Sequence, residues 1–272
     1  MLQNTTITFP KRITNSMDIT SLNREQITQG LDRAKSEQTE KSETVRILFS
    51  PRIIDHKNIN EVFEIYSHID RDDFDTVVIV ESHPGSAEKK LPMPSFKSVQ
   101  TSLGEVLAND KLRNDFCDED DDFFIDDEAF DEELSLYDQL MMLQCSLEEF
   151  TVLSIQITDE NSFIIKELAY ALEEILASKN ALIVFCCDME GENRDELKKV
   201  LSFYDDGNMT GLMNYVNTGD SKIEGIGAFV AGLIVAKKWG LKIIFKSIDD
   251  SKSDHANLLA GYAEMQRQAI LK

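Results

Sequence analysis

Four short apolar runs constrain this chain most: Val45–Ser50, Thr76–Val80, Val152–Ile157 and Ala181–Phe185. None alternates apolar with polar residues, so each must bury both faces, as strands of a helix-covered sheet do. Helical patterns separate them. Ile59, Val62, Phe63, Ile65 and Tyr66 recur at helical spacing. Phe163 to Ala177 follows Ser162 as candidate N-cap, and Glu192 to Tyr204 reads as a helix exposed on one side. Gly225 to Trp239 is a buried helix with Gly240 as its stop. Leu241–Lys246 is a further strand and Leu258–Ala263 a final core segment. This alternation predicts an α/β fold, a single domain with a central mostly parallel or mixed sheet flanked by helices.

Residues 1–44 read as an N-terminal extension, in which Leu22, Gln26, Ile27 and Leu31 mark one amphipathic helix and Lys35 to Thr44 a polar tether. Residues 45–272 form the α/β domain, with an acidic insertion at 115–133. Of the 16 residues Asp118–Glu133, 11 are Asp or Glu, half of the net charge of −22. Such a segment is expected to be a solvated loop anchored by Phe123, Phe124 and Phe130, with a docking surface for a basic partner as the functional alternative. Asp118, Asp120 and Asp122 have calcium-loop spacing, but Phe123 stands at the turn glycine and Ala129 at the closing glutamate.

A net charge of −22 without a basic patch argues against nucleic acid and anionic membrane surfaces as partners. The longest apolar run, Ile226–Ala236, is 11 residues, against about 20 for a membrane span, so no membrane insertion is expected. Met1–Pro10 lacks the apolar core of a secretory signal. Cys117, Cys145, Cys186 and Cys187 form no Cys-x-x-Cys pair and read as reduced thiols of a cytoplasmic protein. No phosphate loop, dinucleotide fingerprint or Ser-His-Asp arrangement is visible.

Several motifs share a characteristic order: Ser50-Pro51-Arg52 with Tyr66 beyond it, Glu81-Ser82-His83-Pro84, and Thr101-Ser102-Leu103-Gly104-Glu105-Val106. Glu133-Leu134-Ser135-Leu136, Cys186-Cys187-Asp188, Glu224-Gly225 and Gly261-Tyr262-Ala263 follow. Together they resemble the Memo-like family, whose bacterial and archaeal members are called AmmeMemoRadiSam system protein B. The resemblance implies a fold similar to that of class III extradiol dioxygenases, with a metal pocket at strand ends. The family's metal ligands are a histidine after Ser-Pro, a histidine after the next strand and a cysteine before glycine. Here Arg52 takes the first place, His83 stands at or beside the second, and Glu224 takes the third. The family's two other pocket histidines fall at Leu134 and Gly191.

The expected remnant pocket comprises Arg52, His83, Glu133, Cys187, Asp188 and Glu224. In the leading reading Arg52 pairs with Asp188 or Glu224, no cofactor is held, and the protein is a pseudoenzyme that binds a protein partner or a small anionic ligand. The alternative is a metal-dependent oxidoreductase with iron or copper on His83, Asp188 and Glu224. A purely structural subunit is a third reading. His56, His68 and His255 are expected in exposed, polar surroundings, and Cys186 and Cys187 in small buried spaces at a strand end.

Overall fold

Each of the four apolar runs is a strand, and their side chains alternate between two cores rather than between core and water. The computed structural model describes residues 6–8, 19–38, 43–83, 90–130, 135–189, 194–245 and 259–266. Glu133, Leu134, Gly191 and His255 lie outside the described residues. In chain order the strands are β1 (Thr6–Thr8), β2 (Val45–Ser50), β3 (Thr76–Ser82), β4 (Leu91–Met93), β5 (Ser98–Thr101), β6 (Gly104–Ala108) and β7 (Phe123–Ile125). They continue as β8 (Thr151–Ile157), β9 (Ala181–Cys186), β10 (Asp188–Met189), β11 (Ile223–Glu224), β12 (Lys242–Phe245) and β13 (Gly261–Glu264). The helices are α1 (Arg24–Glu37), α2 (Ile59–Tyr66), α3 (Asp110–Glu119), α4 (Leu136–Ser146), α5 (Ser162–Leu176), α6 (Arg194–Asp205), α7 (Met209–Thr218) and α8 (Ile226–Lys238).

Nine strands form one mixed sheet in the order β1-β5-β6-β8-β3-β9-β2-β13-β12. Its centre, from β6 through β8, β3 and β9 to β2, is parallel, while β13 and β12 close one side antiparallel. Ile47, Phe49, Val78, Val80, Ile155, Ile183 and Phe185 face a core built with α3, α5, α6, α7 and α8. Leu48, Val77, Ile79, Val152, Leu182 and Val184 face the other, built with α1, α2 and α4. Burial on both sides is what removes the apolar–polar alternation from the sequence. The chain is thus a single α/β domain with a large mixed sheet between two helical layers.

Local chemistry sets several boundaries. At the start of α5 the N-cap is Asn161, whose side chain accepts from Phe163 N and Ile164 N, rather than Ser162. Helix α1 begins with a reciprocal capping box between Asn23 and Gln26, and it continues to Glu37, beyond the expected start of the tether at Lys35. The acidic insertion is more structured than a loop: β7 pairs in parallel with β4, and Phe123 and Phe130 are buried. Backbone pairing and aromatic burial hold this segment although its surface is dense in charge. His68 is not exposed either; its ring lies 4.2 Å from that of Tyr262.

Candidate functional site

Parallel pairing lines up the carboxyl ends of four strands. Gln156 on β8 pairs with Glu81 on β3, Glu81 with Cys186 on β9, and Cys186 with Ser50 on β2. Glu81 is in phase with Val77 and Ile79, so period-two alternation sends a carboxylate into the α4 side of the sheet. All four residues are buried. Open α/β sheets place their crevices outside such strand ends.

Helix α4 closes this polar row from below. Ser135 donates to Glu81 Oε2 through its backbone N at 2.9 Å and its Oγ at 2.7 Å. Gln139 donates from Nε2 to Pro51 O at 2.8 Å and accepts from the Tyr66 hydroxyl at 2.6 Å. Asp138 Oδ2 accepts from Ile54 N at 2.9 Å, fixing the loop that carries Arg52. These bonds offset part of the cost of burying Glu81, Gln139 and Asp138.

Arg52 sits above the row. Its Nε donates to Glu81 Oε1 at 3.0 Å, with Glu81 nearly inaccessible and the arginine side chain 22% exposed. Its second terminal nitrogen, Nη2, lies 3.2 Å from His83 Nε2. The same ring nitrogen lies 3.7 Å from Glu81 Oε1, so His83 shares the carboxylate with the guanidinium. The third edge is loose: Nη1 lies 3.8 Å from Glu224 Oε2, and Glu224 is 60% exposed. Asp188 is reached through the backbone, Arg52 N donating to its two carboxylate oxygens at 3.3 and 3.4 Å. Burial disfavours the guanidinium's charge, but Glu81 first, then Asp188 and Glu224, outweigh it and raise its pKa above the ordinary value.

A two-stranded pairing beside the site brings two acids side by side. Strands β10 and β11 are antiparallel with Asp188 directly opposite Glu224. Gly225, next in the chain, has φ 77, and a Cβ there would stand 3.1 Å from Cys186 O, so glycine is required twice over. Burial pushes Asp188 up to about 6, against the pull of Arg52's N–H and charge, and Glu224 and Glu81 add to the rise. At the amino end of α8, Gly227 N donates to Glu160 Oε1 at 2.8 Å and Ala228 N to Ser82 Oγ at 3.2 Å. Those donors are spent within the protein.

Of the sequence-derived set, Arg52, His83, Asp188 and Glu224 lie at one place. Cys187 is completely buried on the opposite face, in the α8 core, and Glu133 is outside the described residues. Arg52 does pair with Glu224, at 3.8 Å, and through its backbone N with Asp188, but neither is its shortest side-chain contact. The short side-chain ion pair is with Glu81, which the sequence reading missed although its motif was in hand. The available signal was a charge in phase with the buried positions of a core strand. Burial pushes the Cys186 and Cys187 thiols well above their usual range, which disfavours the thiolate that nucleophilic chemistry needs.

The Arg52 guanidinium, a permanent cation, occupies the space between Glu81, His83 and Glu224. Among the described residues no three His, Cys, Asp or Glu side chains converge as ligands. The described helices include none long and apolar enough to cross a membrane.

Compared with known families, residues 20–265 match the family described as Memo-like protein. A comparison with curated proteins gives no match.

Proposed function

Because the chain belongs to the Memo-like family, we propose that it is a non-catalytic member that acts by binding, with Arg52 standing where relatives place the first metal ligand. The observation that carries this reading is the Nε–Oε1 contact of 3.0 Å between Arg52 and the buried Glu81, with His83 and Glu224 on the remaining edges. One positive charge already compensates the buried acid, and the same charge opposes a bound cation. The ligand is a protein partner or a small anion, met on the Glu224 side of Arg52, where the internal contact is longest and most exposed. The reading includes a cytoplasmic location, supported by four free thiols.

The test is elemental analysis of protein purified without chelator, for the wild type and for Glu224→Ala. Substoichiometric iron, copper and zinc in both is the expected result. Stoichiometric metal that disappears in Glu224→Ala overturns the proposal in favour of a metal-dependent oxidoreductase.

A further inference from the structure

A second site lies on the outer helical layer, separate from the strand-end pocket. Helices α1 and α2 cross closely because α1 presents Gly30 to α2: a Cβ there would stand 2.3 Å from the Phe63 ring. Beside this contact is a groove of about 520 Å³, floored by Phe63, Ile59 and Leu22. That volume is in the range of small-molecule sites. Its rim carries Arg33 and His56, and among the described residues no carboxylate lines it.

In a chain with 50 Asp and Glu against 28 Lys and Arg, a groove with cationic and no anionic lining is unusual. Arg33 is exposed, and among the described residues its guanidinium donates only to the Asn60 side-chain carbonyl, at 2.9 Å from Nη2. The rest of its donor fork is open to a ligand. Glu37, Glu61 and Glu64, with Asn60, line a neighbouring groove that shares Arg33 with this one, and their charge disfavours an anion there.

We propose that the α1–α2 groove binds a small amphiphile with an aromatic or alkyl body and a single carboxylate, the body on Phe63, Ile59 and Leu22 and the carboxylate on Arg33. Guanidinium and carboxylate match as paired donors and acceptors, and the apolar floor supplies the burial. The proposal does not depend on the strand-end pocket.

Calorimetric titration of the full chain with naphthalene-2-carboxylate, 2-naphthalenemethanol and 2-naphthylmethylamine tests it, because the three share a body and differ in charge. The carboxylate should bind about tenfold more tightly than either analogue, the scale of one exposed charge-assisted hydrogen bond. Arg33→Gln should erase that preference, and Ile59→Ser should weaken all three. Phe163→Ala, on an exposed residue far along the chain, should change nothing. Equal affinity for the three compounds, no binding, or a preference that survives Arg33→Gln overturns the proposal. Arg33 is exposed, so its variant should fold; circular dichroism verifies this.

Discussion

Removing Arg52 should cost far more than its partial exposure suggests, because its partner Glu81 is almost wholly buried. In Arg52→Ala the Glu81 carboxylate keeps its two hydrogen bonds from Ser135 and the His83 ring at 3.7 Å but loses its ion pair with the guanidinium. Stripping one partner from a buried pair costs about 3–5 kcal/mol. The Ser135 donors and the 22% exposure of Arg52 moderate this, which gives about 2–4 kcal/mol on the same scale. Glu81→Gln added to Arg52→Ala removes the uncompensated charge and should recover about 1–2 kcal/mol of the loss. The parallel cycle with Glu224→Gln should show a coupling below about 1 kcal/mol, since that contact is 3.8 Å long and exposed. Urea unfolding followed by far-ultraviolet circular dichroism, with both cycles at one ionic strength, supplies the numbers. A neutral Arg52→Ala, or a Glu224 coupling equal to that of Glu81, would refute the reasoning.

Three further outcomes follow from other parts of the structure. Asp188 has a folded pKa of about 6, above its ordinary 3.8. Its contribution to stability is therefore fully present below about pH 4 and lost as pH rises through 6. Asp188→Asn should leave stability near pH 4 almost unchanged and raise it at pH 7, by up to about 2–3 kcal/mol, as read from urea midpoints at the two pH values. Asn161→Ala should cost about 1 kcal/mol in thermal or urea unfolding, as loss of a helix cap does, and Ser162→Ala clearly less. A Cβ at Gly232 would stand 2.6 Å from Phe49 and 2.8 Å from Phe185. Gly232→Ala should thus destabilise by about 1–3 kcal/mol through overpacking, and an unchanged melting temperature would contradict that packing.

The sequence by itself determined the parallel centre of the sheet. Val45–Ser50, Thr76–Val80, Val152–Ile157 and Ala181–Phe185 lack alternation because both their faces are covered, and that signal is local. It likewise determined α8, whose apolar circumference between Gly225 and Gly240 admits only a buried helix. The shared order of motifs identified the family. What it left open were quantities set by partners distant in sequence. The cap of α5 hung on whether Asn161 or Ser162 points back at the first amides, and the β4–β7 pairing on a backbone match across an acidic stretch. The partner of Arg52 was decided by tertiary structure alone. Asp188 and Glu224 were the acids its family position suggested, and the antiparallel pairing of β10 with β11 does bring both near. The side chain reaches Glu224 only at 3.8 Å and makes its shorter ion pair with Glu81, because strand phase and α4 bury that carboxylate where water cannot solvate it. A guanidinium gains most from the acid that has least water.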